Sequence, residues 1–166
     1  MQDQNKDVDK HLTRERVHQK GTIELLDVIR MAKANSGFFR AGAIGLFVGV
    51  VRGETESKEM VRKLELEAYE DKANEILENI CNDLKEVEGI IDVQIHHLVG
   101  EFEASEELVY VMVAGTHRSA VFPTLKRAVE RYKEEAPIFK KEYIVKRKGK
   151  KESYWVGEKE AKRKAT

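Results

Sequence analysis

The chain has 166 residues, and its 30 basic residues balance 30 acidic ones, so the formal net charge is zero. This length predicts a single domain, and the balanced charge excludes an overall field that would attract nucleic acid or a membrane surface. The single cysteine excludes an internal disulfide and, without a Cys/His spacing pattern, argues against a zinc site.

The two ends of the chain differ in composition from its middle. Residues 1–20 contain hardly any apolar side chains, so we expect a flexible arm before one domain over residues 21–157. Residues 158–166 are charged and are expected to form a frayed tail. No segment reaches the roughly 20 apolar residues that cross a bilayer, and residues 1–20 are too polar for a secretory signal. A soluble, cytoplasmic protein is therefore expected.

The predicted domain begins with a helix and two strands. Thr22 is expected to cap the helix, which ends near residues 35–37. Its apolar stripe comprises Leu25, Leu26, Ile29 and Ala32. Residues 43–51 are continuously apolar, which predicts a central strand, and residues 64–68 alternate apolar and charged side chains, which predicts a strand with one face in water.

Two long helices and four more strands follow. The first long helix spans about residues 73–87, and its apolar stripe includes Cys81, which we interpret as a core residue. Strands are predicted at residues 91–97 and 108–114. The second long helix spans about residues 119–134, with Pro123 in its first turn. Its inward side chains are predicted to be Phe122, Leu125, Val129 and Tyr132. A hairpin of residues 139–147 and 153–156 completes an α+β fold.

His117 and Arg118 stand where an apolar strand gives way to the second long helix. The first N–H groups of a helix lack partners within it, and the helix dipole favours an anion there. A guanidinium can bind two phosphate oxygens and an imidazole can donate a hydrogen bond, so these residues form a candidate phosphate site. The alternative is that Arg118 pairs with a surface carboxylate and His117 caps the helix.

Three other cations lie at the ends of predicted elements. Arg52 follows the glycine-rich strand, Lys133 lies in the last turn of the second long helix, and Lys140 lies just beyond that helix. Each is a candidate ligand contact, and a desolvated lysine could also move a proton. The alternative for Arg52 is a solvated charge, and for the lysines it is a structural cation favoured by the helix dipole.

Neighbouring residues in a strand point to opposite faces, so His96 and His97 cannot chelate one metal, and we interpret both as structural. The sequence contains no glycine-rich nucleotide fingerprint, no Gly-x-Ser-x-Gly elbow and no HExxH motif. We therefore predict neither a metal nor a cofactor.

Six separated motifs span roughly residues 40–159: Gly45–Arg52, Leu66–Tyr69, His96–Glu101, Gly115–Ser119, Ala136–Glu142 and Tyr154–Val156. In this order they closely resemble the large, catalytic subunit of molybdopterin synthase. The resemblance implies an α/β-hammerhead fold with a mixed, mainly antiparallel sheet. It also implies a sulfur transfer in molybdenum cofactor biosynthesis.

The resemblance further implies protein partners and a substrate. In that family the subunit forms a homodimer within a heterotetramer, and each copy binds a small ubiquitin-like, β-grasp sulfur carrier. The carrier's C-terminal Gly-Gly thiocarboxylate enters the large subunit, and two sulfurs move onto cyclic pyranopterin monophosphate to make a dithiolene. Neither a nucleic acid nor a membrane is an expected partner.

The motif positions imply roles for single residues. Arg52, His117 and Arg118 would bind the pterin precursor and its phosphate, while Lys133 and Lys140 would lie near the carrier's C-terminus and act as catalytic residues. Lys159 stands where many relatives carry an arginine, so a phosphate contact without the bidentate fork is expected there.

Arg118 and Lys133 are fifteen positions apart on one predicted helix, which separates their backbones by about 22 Å. One pterin cannot easily touch both, so we hypothesise a composite site in which His117 and Arg118 of one subunit face Lys133 and Lys140 of the other. Two alternatives stay open: a non-catalytic phosphate or RNA-binding module, and a His-dependent phosphoesterase that uses His117 and Arg118.

Overall fold

The computed structural model describes residues 15–146 and 148–156. Its elements are β1 (Val17–Gln19), α1 (Leu25–Ala34), a 3-10 turn (Phe38–Arg40), β2 (Ala43–Val50), β3 (Met60–Ala68), α2 (Glu70–Lys85), β4 (Ile90–Phe102), β5 (Glu107–Gly115), α3 (Arg118–Glu135), β6 (Ile138–Val145) and β7 (Lys151–Trp155). The strands form one sheet in the order β2-β5-β4-β3-β6-β7, with β1 beside β4. Only the β1–β4 pairing is parallel among these strands, so the predicted α+β fold with a mainly antiparallel sheet and a C-terminal hairpin is confirmed.

Strand β4 belongs to both halves of the sheet. Its residues 90–97 pair with β5, and its residues 100–102 pair with β3, which continues to β6 and β7. Gly100 lies at the transition with a φ of +125°, a conformation that residues with a Cβ rarely adopt. This glycine lets one continuous strand pair with β5 in one half of the sheet and with β3 in the other.

The core has one layer on each face of the sheet. Helices α2 and α3 pack on one face, and helix α1 packs on the other. Helix α2 buries most of the stripe predicted for it, namely Ala73, Leu77, Ile80, Cys81 and Leu84. Cys81 is a core residue, as predicted, and burial raises the pKa of its thiol to about 11. None of the described helices is long and apolar enough to cross a membrane.

Leu77 lies fully buried in the middle of the α2 stripe. Its replacement by alanine is expected to lower the free energy of unfolding by about 2–5 kcal/mol, because buried methyl groups are lost and a cavity remains. Urea denaturation measures this change. Leu26, which is 58% exposed, supplies a matched control whose alanine variant should change stability by less than about 0.5 kcal/mol. Equal effects at the two leucines would contradict the packing of α2.

Helix α1 differs from its prediction in start and orientation. It begins after Glu24, whose capping box with Asp27 satisfies the first turn, while the predicted cap Thr22 donates its hydroxyl to the Gln19 carbonyl. The helix buries Val28 and Ala32, and Leu26 faces solvent. The predicted stripe is right for Ala32 and wrong for Leu26, because this segment has more apolar residues than one helix face can bury.

The prediction of a flexible arm over residues 1–20 is wrong for residues 17–19, which form β1 and pair with β4. Arg16 is also buried, since its Nε donates to Glu78 on α2 at 2.7 Å. Asn74 accepts the backbone N–H groups of Arg16 and Val17. These partners lie far away in sequence, so local composition could not reveal them. Residues 1–14 and the predicted tail 158–166 lie outside the described residues.

A series of buried polar side chains, joined by hydrogen bonds, links β1 to β4. It lies on the face of the sheet that α1 covers. His18 Nε2 donates to His96 Nδ1 at 2.9 Å, His96 Nε2 donates to Gln94 at 3.1 Å, and the Gln94 amide donates to Asp92 at 2.8 Å. The His96 imidazole is neutral in this arrangement, because its Nδ1 accepts while its Nε2 donates. Burial favours the neutral form of both rings, because it lowers the pKa of His18 and lowers that of His96 well below the ordinary value.

Helix α3 begins at Arg118, so Pro123 is its sixth residue and the prediction that it lies in the first turn is wrong. Phe122 was predicted to face inward but is 63% exposed. The buried side chains are smaller at this end because the helix packs closely on β2: a Cβ on Gly45 would lie only 2.8 Å from Val121 Cγ1. A phenylalanine ring does not fit into that contact.

Candidate functional site

A cleft of about 520 Å³ opens where the end of β2, the last turn of α3 and the start of β6 meet. Its apolar wall consists mainly of Phe47, Val48, Leu66, Leu108 and Ile138. Its polar side chains are Arg52, His97, Tyr132, Lys133 and Lys140. No carboxylate is among the residues that line it.

The lack of carboxylates distinguishes this cleft from its neighbours. A pocket of about 590 Å³ on the other side of Arg52 contains Glu54 and Glu56, and three further pockets each contain at least one acidic side chain. Cations whose field is not cancelled by nearby acids attract an anion most strongly. Of these five pockets in the described residues, the cleft at the end of α3 is therefore the best candidate for an anion site. The same residues contain no cluster of three metal-ligating side chains.

Chain connectivity brings three of the predicted site residues into the cleft. Arg52 lies two positions after the end of β2. Helix α3 ends at the extended residue Ala136, because the following proline disfavours a helical conformation there. The chain turns directly into β6, so Lys133 and Lys140 line the same cleft from the two sides of this turn.

The three cations differ in their partners. Lys140 Nζ lies 3.3 Å from a carboxylate oxygen of Glu142, which is on the same strand. Lys133 Nζ lies 5.6 Å from the centroid of the Phe47 ring, a contact that leaves its charge uncompensated. Neither Lys133 nor Arg52 makes an ion pair with any carboxylate in the described part of the chain. Two positive charges are thus available to a bound anion.

His97 on β4 and Tyr132 on α3 form the buried floor of the cleft. The Nδ1–H of His97 donates to the Leu98 carbonyl at 2.9 Å, and the two rings meet edge to face with centroids 5.8 Å apart. Burial lowers the pKa of His97 to about 4 and raises that of Tyr132 to about 12. Sequence reasoning gave His97 only a structural role. His96 and His97 are neighbours in a strand, so their side chains point to opposite faces. Because His96 faces α1, this alternation could have indicated that His97 faces α3.

The buried imidazole of His97 is expected to make the fold sensitive to acid. Its pKa is about 4 in the folded protein and 6.5 in the unfolded chain, so the unfolded chain binds more protons between these values. Stability therefore falls as pH falls, by about 2 kcal/mol from this group between pH 7 and pH 5. Urea denaturation at each pH should show a flatter profile for His97→Phe. His117→Ala, which changes an exposed imidazole, should keep the wild-type slope, and an unchanged slope in His97→Phe would contradict the assignment.

His117 and Arg118 lie away from this cleft. His117 is the exposed N-cap of α3 and makes no capping hydrogen bond, and Arg118 is the exposed first residue of the helix. Within the described ranges neither side chain has a hydrogen bond or ion pair. The alternatives, in which Arg118 pairs with a surface carboxylate and the His117 side chain caps the helix, therefore have no supporting contact. The step of fifteen residues from Arg118 to Lys133 covers about 22 Å. One copy of the chain does not bring the two ends of α3 together, and Lys159 lies outside the described residues.

The sheet topology, the α3–β6 junction and the cationic cleft define an α+β protein with a candidate anion site that no serine, threonine or cysteine lines. A family model described as "MoaE protein" matches residues 17–135, which is more than half of the chain. The chain belongs to the MoaE family.

Named relatives and a solved structure agree with this assignment. The "Probable molybdopterin synthase" of Haloferax volcanii is 35% identical over 135 residues, which cover 81% of this chain and 50% of that protein. The human "Molybdopterin synthase catalytic subunit" is 33% identical over 118 residues, which cover 69% of this chain and 62% of that protein. The crystal structure of molybdopterin synthase from Staphylococcus aureus matches with a TM-score of 0.73 at 28% identity, over 87% of this chain and 97% of that one. The chain thus spans between half and two thirds of the length of these two curated relatives.

Proposed function

We propose that this chain is the catalytic subunit of a molybdopterin synthase, which moves sulfur from a thiocarboxylated carrier protein to cyclic pyranopterin monophosphate. The observation that carries this proposal is the cleft in which Arg52, Lys133 and Lys140 meet without any carboxylate in its lining. The names of the relatives supply the class of reaction. We place this activity in the cytoplasm.

A sulfurtransferase that receives its sulfur on a partner needs no nucleophile of its own. The lining of the cleft contains no serine, threonine or cysteine, and the one cysteine of the chain is buried elsewhere with a thiol pKa of about 11. In the proposed reaction the attacking sulfur belongs to the thiocarboxylate of a small β-grasp carrier, whose Gly-Gly end enters the cleft. That sulfur forms a carbon–sulfur bond to the pterin, water then cleaves the resulting thioester, and the carrier leaves with a carboxylate while the sulfur stays on the pterin. Lys133 and Lys140 stabilise the negative charge that develops on the carrier's end during these steps.

Arg52 is proposed to bind the phosphate of the pterin, because its planar guanidinium matches two phosphate oxygens and has no competing ion pair in the described residues. The lysine ammonium groups can supply protons as the cyclic phosphate opens. Holding the carrier's end against the pterin turns an encounter of two ligands into a reaction within one complex.

The two ends of α3 are proposed to belong to one site only in a homodimer. His117 and Arg118 of one subunit would then face Lys133 and Lys140 of the other, and each subunit would bind one carrier to give a heterotetramer. The separation of about 22 Å along α3 supports this arrangement, because no single copy can place both groups on one pterin. Lys159 is proposed as a further phosphate contact.

Reconstitution tests the proposal directly. The purified chain is incubated with cyclic pyranopterin monophosphate and thiocarboxylated carrier, and the dithiolene product is measured by mass spectrometry. Product is expected only when both are present, and a carrier that ends in an ordinary carboxylate is the matched control. Hydrolysis of simple phosphoesters without any carrier would support a phosphoesterase instead. RNA binding that survives about 200 mM salt, with no sulfur transfer, would support a binding module.

A further inference from the structure

Two polar atoms on the floor of the cleft have no partner within the described residues. The Nδ1 of His97 is engaged by the Leu98 carbonyl, which leaves its Nε2 free, and the Tyr132 hydroxyl makes no hydrogen bond. Yet no fully enclosed side-chain nitrogen or oxygen among these residues lacks a hydrogen bond. Both free atoms must therefore reach the open space of the cleft that their residues line.

The other histidines and tyrosines with buried rings show that such free atoms are not the rule in this fold. Both ring nitrogens of His96 have side-chain partners. The hydroxyl of the buried Tyr110 donates to Glu107, and even the half-buried Tyr143 has a partner, since its hydroxyl donates to Glu65. Buried polar groups normally have a hydrogen-bond partner, because a missing hydrogen bond costs stability. The two free atoms of the floor therefore point to a partner that comes from outside the chain.

The hydrogen bond to Leu98 also determines which ring nitrogen of His97 carries the proton. A carbonyl oxygen only accepts, so Nδ1 of His97 carries the ring proton and Nε2 presents a lone pair. The pKa of His97, about 4, keeps the ring neutral at physiological pH, and the pKa of Tyr132, about 12, keeps the phenol protonated. The floor thus offers one uncharged acceptor and one uncharged donor beneath three cations.

We propose that His97 and Tyr132 form an uncharged subsite that binds the neutral hydrogen-bonding part of a ligand whose anionic group is held by Arg52, Lys133 and Lys140. His97 Nε2 accepts from an N–H of the ligand, and the Tyr132 hydroxyl donates to a carbonyl or ring nitrogen of it. This inference rests on the proposed function, under which two ligands carry this chemistry: the pterin ring and the terminal amides of the carrier.

The first test measures binding without turnover. In ¹⁵N-labelled protein, the His97 Nε2 resonance is expected to move when cyclic pyranopterin monophosphate is added, or when a carrier with an ordinary C-terminal carboxylate is added. The titration that moves it identifies the ligand, and His96, whose ring nitrogens are already engaged, should stay unchanged.

Two outcomes separate this inference from the proposed function. If calorimetry shows that both ligands bind while the His97 resonance stays still in both titrations, the subsite is disproved and the proposed function stands. If neither ligand binds at all, both proposals are overturned.

Variants test the same subsite by kinetics. His97→Phe and Tyr132→Phe are each expected to raise KM for the bound ligand about tenfold and to change kcat less than about twofold, because each loses one hydrogen bond made on binding. His97→Gln keeps an acceptor and should stay within about threefold of wild type. Tyr69→Phe, at an exposed tyrosine outside the cleft, is the matched control and should change neither constant. Equal losses in His97→Gln and His97→Phe, or a fall in kcat at unchanged KM, would overturn the subsite.

Discussion

Replacing Lys133 or Lys140 by alanine is expected to slow sulfur transfer about 10²–10³-fold, a loss typical of removing one group that stabilises charge at a reacting centre. The cleft has no acid in its lining and three cations, so an anion there depends on each of them, and no other cation among the described residues lines it. Single-turnover reactions with thiocarboxylated carrier and cyclic pyranopterin monophosphate, followed by mass spectrometry of the dithiolene, measure the change.

Lys126 supplies the control for this prediction. It lies on the same helix about two turns before Lys133, its side chain is 77% exposed, and it forms only a loose surface pair with Glu130 at 3.7 Å. Lys126→Ala should therefore react at the wild-type rate. A similar loss in Lys126→Ala would show a general effect of charge on the complex. Full activity in the double variant Lys133→Ala/Lys140→Ala would remove the cleft from the mechanism.

A heterodimer of one His117→Ala subunit and one Lys140→Ala subunit is expected to retain about half of the wild-type activity, although each variant alone is nearly inactive. In a site shared across a two-fold dimer, one of the two sites then receives both changes and the other receives neither. Two different affinity tags on the subunits allow the heterodimer to be purified and assayed by itself.

The reciprocal heterodimer makes this result decisive. When His117→Ala and Lys140→Ala are placed on the same subunit and paired with a wild-type subunit, a shared site predicts one change in each site and almost no activity. Sites confined to single subunits predict the opposite pattern, with about half activity here and almost none in the first heterodimer. That opposite pattern would disprove the composite site.

The sequence was sufficient for those features that depend on local spacing. The apolar stripe of α2 was predicted correctly because its period is regular and the helix is bounded by Gly89. The cations of the cleft could be selected because each stands beside a strand end, a helix end or Pro137. The distance between Arg118 and Lys133 could be calculated from the rise per residue of a helix alone.

Features that depend on distant contacts were not predictable in the same way. Strand β1 has three residues, and its position depends on pairing with β4 and on the bond from Arg16 to Glu78, 62 positions away. The orientation of Phe122 depends on how closely α3 approaches Gly45. Neither contact can be recognised from the spacing of neighbouring residues in the sequence.

The arrangement of the cleft floor was not predicted, for a related reason. His97 and Tyr132 are 35 positions apart, and each alone resembles an ordinary core residue. Only the fold shows that their rings touch and that the contact of His97 with Leu98 leaves Nε2 directed at open space. The sequence showed which cations were available, and the structure showed what lies beneath them.

The two sides of the cleft belong to one continuous sheet, because both halves of the sheet share β4. The same strand is bonded to β5 in one half and to β3 in the other. Arg52 follows β2, which pairs with β5, and Lys140 lies on β6, which pairs with β3. The backbone of one sheet therefore sets the distance between these two cations, and their long side chains can adjust to a ligand from fixed starting points.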